Sequence, residues 1–168
     1  KEEFQKIYEK LKNESTDKSI GKRNEKSKNR IENNEKEIII SNDSKIRNCT
    51  GCFCCWIKNP GRCILKDGYE HLAELYSKAE KITIISKCCY GTYSPFVKNV
   101  LDRSIPYLLP FFKLKNNEMH HTTRYKKKLL LEVYFYGNNL TELEKNTAEK
   151  TGRDYGFGSK YRQFERET

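Results

Sequence analysis

A chain of 168 residues is long enough for one domain with a core of its own. Apolar residues make up 36% of it and charged residues 33%, and no run approaches the ~18 apolar residues of a membrane helix. The formal net charge of +10 is spread rather than massed: residues 12–37 interleave eight Lys/Arg with six Asp/Glu, and the densest basic run, Arg124–Lys128, has no nucleic-acid motif beside it, so neither a nucleic acid nor a membrane is expected as a partner.

Residues 1–12 place Phe4, Ile7, Tyr8 and Leu11 on one face of an amphipathic helix. Residues 13–36 hold too little apolar surface to offset the entropy of ordering them, and read as a polar linker or disordered insert. Glu37–Ser41, E-I-I-I-S, has the apolar character of a strand buried in a parallel sheet. Asp67 is placed to cap a helix over 68–79. Lys81–Ser86 is a second strand. Ser94-Pro95 opens a helix that Pro106 and Pro110 end.

Residues 107–127 mix aromatic and polar side chains and read as an extended crossing loop. Leu129–Tyr136, L-L-L-E-V-Y-F-Y, carries the clearest strand signal. Gly137-Asn138-Asn139 is a turn, and Thr141 with Glu144 forms a capping pattern for a helix over 141–149. A weak last strand falls near Tyr161–Phe164. Alternating strands and helices predict a doubly wound, three-layer α/β fold with a parallel sheet. Ligands in such folds sit at the carboxyl ends of the strands. Three loops are expected there: 42–63, 87–94 and 137–140.

Seven cysteines without a secretory signal point to a reducing cytoplasm, where clustered thiols serve metals or redox chemistry more often than disulfides. Cys49, Cys52, Cys55 and Cys63 follow C-x2-C-x2-C-x7-C, and Pro60-Gly61 supplies a turn that brings back the fourth. Four thiolates suit zinc or an iron–sulfur cluster, and reduced thiols packing the loop are the competing reading. Cys54 fits no ligand slot. The loop Lys87, Cys88, Cys89, Tyr90, Gly91, Thr92 links a strand to a helix; Gly91 allows close backbone approach, and Tyr90 and Tyr93 offer aromatic faces. The adjacent Cys88 and Cys89 read as small packed residues before a redox pair. Trp56 closes a lid or covers a ligand, and His120-His121 reads as a solvated pair. Lys98, Asp102 and Arg103 read as structural or interface residues.

Two stretches together, C-T-G-C-F-C-C-W-I-K-N-P-G-R-C-I-L-K-D and Y-G-T-Y-S-P-F-V-K-N-V-L-D-R, resemble the flavodoxin-like family of NAD(P)H-dependent FMN reductases and iron–sulfur flavoproteins. The resemblance covers about residues 37–150. It implies a five-stranded parallel sheet in a domain over 37–168, preceded by the helix at 1–12 and the linker at 13–36. It implies FMN contacts from Lys87, Cys88, Cys89, Tyr90, Gly91, Thr92 and Gly137, and a [4Fe-4S] cluster on Cys49, Cys52, Cys55 and Cys63. The implied activity is an FMN-dependent oxidoreductase passing electrons from NAD(P)H or a small carrier protein to an acceptor, in a homo-oligomer. No side-chain acid or base is required, so no catalytic residue is named. A non-enzymatic flavodoxin-like scaffold that binds metal or a protein partner is the alternative.

The sequence departs from the family in two places. No counterpart of its first strand and S-P-R-x-x-x-N-T-type phosphate loop precedes the helix at 1–12, which implies an N-terminally incomplete piece of a larger protein or weakened FMN binding. Gly68 stands where relatives carry a second acidic residue, which is expected to loosen the helix cap.

Overall fold

The structure, a computed structural model, describes residues 5–13, 37–42, 45–115, 117–127, 129–154 and 160–164. The chain divides into two units, Lys1–Asn42 and Asp43–Thr168. In the first unit helix α1 spans 5–13 and buries Ile7, as its apolar spacing predicts. Tyr8 donates to Glu37 Oε2 at 2.8 Å. The expected strand at Glu37–Ser41 does not form: these residues adopt no regular element, and Ile38 and Ile39 are each 57% exposed. An apolar run becomes a strand only where a neighbouring ladder takes its N–H and C=O groups, and none does so here. Almost all of the predicted linker, residues 14–36, lies outside the described residues.

The second unit is an α/β arrangement on a parallel sheet. Strands β1 (Lys81–Lys87), β4 (Leu130–Tyr136) and β5 (Lys160–Phe164) lie side by side in the order β1-β4-β5, all parallel. Residue pairing runs from Lys81 opposite Leu130 to Lys87 opposite Tyr136, so the two strands end level. Alternation along β4 sends Leu131, Val133 and Phe135 into a core with Ile84, Tyr93 and Ala148. Helix α4 (Pro95–Arg103) adds Val97 and Leu101, and helix α5 (Glu142–Asp154) adds Ala148. A second core joins Ala73 of helix α3 (Leu72–Lys78) to Tyr107 and Leu129. No described helix is long and apolar enough to cross a membrane.

The capping pattern before α5 forms as predicted. Glu144 N–H donates to Thr141 Oγ1 at 3.2 Å, and Thr141 N–H donates back to Glu144 Oε2 at 2.9 Å. Two other expectations fail. Asp67 caps no helix: α3 starts five residues later, because the Asp67 carboxylate is taken by other partners. Gly68 has φ +88°, a conformation glycine adopts freely, so it shapes this turn rather than loosening a cap.

Residues 107–127 are not a plain loop. After a short 3₁₀ turn at Ile105–Tyr107, strands β2 (Leu108–Lys115) and β3 (Glu118–Thr123) form an antiparallel hairpin. Asn117, at φ +63°, lies in the turn between them, a conformation that asparagine tolerates better than most residues. Pro110 does not end a helix; it sits in β2 where the register shifts between Leu108 and Phe112, a position that tolerates a missing N–H.

Candidate functional site

Between Cys49 and Cys63 the backbone repeatedly enters the left-handed region. Gly51 has φ +64°, Phe53 φ +53° and Gly61 φ +86°. Helix α2 is a single turn, Cys54–Ile57. Asn59 N–H returns to Cys54 O at 2.8 Å and Gly61 N–H to Cys55 O at 3.0 Å, and Cys63 N–H is held by Glu70 O at 3.1 Å. These bonds fold the segment back on itself. The predicted ligands Cys49, Cys52, Cys55 and Cys63 thereby line one open cavity, together with Asp102, Arg103, Ile105 and Pro106.

The thiols differ in environment. Burial, then the neighbouring Cys63, pushes Cys55 up to about 11. Cys52 is lowered, first by the Cys54 amide and then by the Thr50 and Cys54 side chains. Cys54 is raised, mainly by its hydrogen bond with Cys52. All seven cysteines are free, and among the described residues no three His, Cys, Asp or Glu side chains are drawn together tightly enough to hold a metal ion. The cavity therefore brings the four thiols to one place without yet setting them at ligand distance. Their chemistry, four soft donors around one space, fits a cluster or zinc.

From sequence Arg103 reads as a structural or interface residue; the structure buries it. It is 1% exposed, and its terminal N–H groups are fully engaged. Nη1 donates to Asp67 Oδ2 and Arg47 O, both at 2.7 Å; Nη2 donates to Asp67 Oδ1 at 2.9 Å and Leu65 O at 3.4 Å. Nε is buried without a hydrogen-bond partner. The sequence signal was a cation three residues after the buried Val100, on the apolar stripe of α4. Its partner Asp67 lies 36 residues away and is visible only in the fold.

Trp56 ties the cysteine segment to the hairpin. It donates to Leu108 O at 3.0 Å, stacks on Phe53 at 5.2 Å and meets His121 at 5.4 Å. His121 is packed between this ring and Phe112, 4.3 Å away, whereas the neighbouring His120 pairs with Glu118 at 3.3 Å. The two histidines are thus not a solvated pair. Lys98 and Asp102 form an exposed ion pair on α4.

The other predicted binding residues gather at the carboxyl end of the sheet. Cys88 N–H donates to Tyr136 O at 2.8 Å, which sets the loop Lys87–Thr92 beside Gly137. Cys89 and Thr92 exchange hydrogen bonds of 2.9 and 3.0 Å around Tyr90 (φ +54°) and Gly91 (φ +78°), a tight type I′ turn. Ser86, itself buried, accepts from Ser94 N–H at 2.8 Å and so joins the two ends of the loop. Tyr90 is 92% exposed at the tip. Tyr93 offers no aromatic face: it is buried against Phe135 at 5.0 Å. Cys88 is likewise a core residue, its thiol pushed up by burial.

The two candidate places are not on one edge, contrary to the sequence expectation. Loop 87–94 opens α4, while the cysteine cavity is walled by residues at and beyond its last turn. The nine residues of α4 put about 13 Å of helix between them. The cysteine segment follows no strand of the sheet, so nothing brings it to the strand ends.

No family model matches the chain, and no solved structure matches it. Over 82 residues, 49% of its length, it is 33% identical to a protein named iron-sulfur flavoprotein from Archaeoglobus fulgidus. That match spans 39% of the archaeal protein, so what the two share is about half of this chain and a smaller part of its relative.

Proposed function

We propose that the chain is the flavodoxin-like part of an iron–sulfur flavoprotein, an FMN-dependent oxidoreductase that moves electrons from NAD(P)H or a small carrier protein to an acceptor. The observation that carries this reading is the convergence of Cys49, Cys52, Cys55 and Cys63 on one cavity. The partial likeness to a protein named iron-sulfur flavoprotein supports it. So does the sheet edge at which the loop after β1 lies beside the turn after β4, the kind of place where open α/β sheets bind ligands.

In this reading Cys49, Cys52, Cys55 and Cys63 hold a [4Fe-4S] cluster, and the turn Lys87–Thr92 with Gly137 borders the flavin ring. When bound, FMN and the cluster supply the hydride and single-electron chemistry. The chain's own residues orient and shield. The Cys89–Thr92 hydrogen bonds and Ser86 fix the turn that would face the ring. Trp56 anchors the cysteine segment against the hairpin. The burial of Cys55 limits water at its side of the cavity.

The test is an anaerobic visible spectrum of the purified chain during titration with FMN, with bound flavin then quantified after denaturation. Saturable uptake with perturbed flavin bands is expected. A chain that takes up no FMN contradicts the flavin half of the proposal.

A further inference from the structure

Arg103 presents an incomplete hydrogen-bond pattern. A guanidinium has five N–H donors in a rigid fork. Here the four terminal donors are used by Asp67, Arg47 O and Leu65 O, which clamp the group on one side. The fifth, Nε–H, is buried without a partner. A buried donor of a charged group is costly to leave unmade, so an acceptor is expected to come within its reach when the neighbouring site is filled. Arg103 lines the cavity with all four clustered cysteines, and Cys63 lies close enough to interact with its charge.

A guanidinium held this firmly is costly to move, so its position is set before any ligand binds. Four thiolates give a [4Fe-4S] cluster net negative charge. One electron from an external reductant raises that charge. A fixed cation and an N–H donor at a ligand sulfur stabilise the more negative form, so both raise the reduction potential.

Resting on the cluster reading above, we propose that Arg103 is a positioning residue for the metal centre: its Nε–H donates to the Cys63 thiolate sulfur, and its buried charge holds up the potential at which the cluster accepts an electron. Asp67 is the residue that aims it. Asp102 also borders the cavity, but it is half exposed and its carboxylate is paired with Lys98, so neither of these two shares this role.

The experiment reconstitutes the full chain anaerobically with iron and sulfide. Iron and acid-labile sulfide are measured per chain, and the midpoint potential is read by an electron-paramagnetic-resonance redox titration. The parent is compared with Arg103→Lys and with the double variant Asp67→Asn/Arg103→Gln, which leaves no unpaired buried charge and so keeps the test if a single variant unfolds. The expected result is undiminished iron and sulfide in both variants. The double variant should lose at least tenfold in the reduced-to-oxidised ratio at fixed potential, about 59 mV for one electron, and Arg103→Lys should fall between it and the parent. Loaded variants with the parent's potential overturn the role given to Arg103 and leave the cluster reading standing. A folded double variant that takes up no iron also overturns it, because Arg103 is placed as a donor to a sulfur and not as a ligand. A parent that takes up no iron overturns the cluster reading and this proposal with it.

Discussion

Asp67 holds Arg103 through both carboxylate oxygens, at 2.7 and 2.9 Å, with the two side chains 6% and 0% exposed. The pair joins the turn before α3 to the last turn of α4 and closes the wall of the cysteine cavity. Removing one member of a buried, hydrogen-bonded pair strands the other in a low-dielectric interior. Asp67→Ala should therefore cost about 3–5 kcal/mol in denaturant unfolding. Asp102→Ala, which breaks only the exposed pair with Lys98, should cost under about 1 kcal/mol. Equal losses from the two would show that the burial of Arg103 is not what matters.

The same pair sets a pH dependence. Hydrogen bonds from Arg103, then from the Arg47 and Tyr69 amides, hold the Asp67 carboxyl well below the usual carboxylate range. A depressed folded-state value means stability is fully present above the unfolded value of about 3.9 and is lost as pH falls through the folded one. Unfolding free energy should drop as pH is lowered from 5 toward 2. Asp67→Asn, which has no proton to take up, should show a shallower acid limb at a lower starting stability. Parallel limbs would assign the acid sensitivity elsewhere.

Thiol reactivity should sort by environment. Cys52 is exposed and its thiolate is favoured by neighbouring donors, whereas Cys55 is buried and pushed up to about 11. In the metal-free chain at pH 8, alkylation followed by peptide mapping should label Cys52 early and Cys55 late, with the core thiol of Cys88. Loading with iron and sulfide should protect Cys52 and Cys55. Early labelling of Cys55 would contradict the packing of the cavity floor.

Gly91 and Gly51 both have positive φ, yet only Gly91 is crowded. A Cβ at Gly91 would stand 2.6 Å from Thr147 Cβ and 3.1 Å from Glu144 O, while one at Gly51 would meet nothing within 4 Å. Gly51→Ala should cost about 1 kcal/mol for its backbone conformation alone. Gly91→Ala adds overpacking against α5 and should cost about 3 kcal/mol. Thermal unfolding of the two variants checks the order, and equal costs would mean that α5 does not press on the loop.

What could be read from the sequence was local chemistry. The Thr141–Glu144 reciprocal cap, the Ser94-Pro95 helix start and the β-branched and aromatic run of β4 each carry their own signal within a few residues, and each formed. The spacing of Cys49, Cys52, Cys55 and Cys63 predicts one shared site; all four line one cavity, but among the described residues no three are drawn together tightly enough to hold a metal ion. What could not be read depends on distant partners. Ile38 and Ile39 look like a buried strand, but only a neighbouring ladder makes one. Asp67 looks like a helix cap until Arg103, 36 residues on, takes its oxygens. Tyr93 reads as an exposed aromatic face until Phe135 covers it.

The most direct test of the account is the iron and acid-labile sulfide content of the anaerobically reconstituted chain, set beside four single Cys→Ser variants at Cys49, Cys52, Cys55 and Cys63 and a Cys54→Ser control. The account predicts about four iron and four sulfide per parent chain, a sharp loss in each of the four variants, and parent-like content in the control. A parent that binds zinc without sulfide, or a loss in the control as large as in the other four, would contradict it.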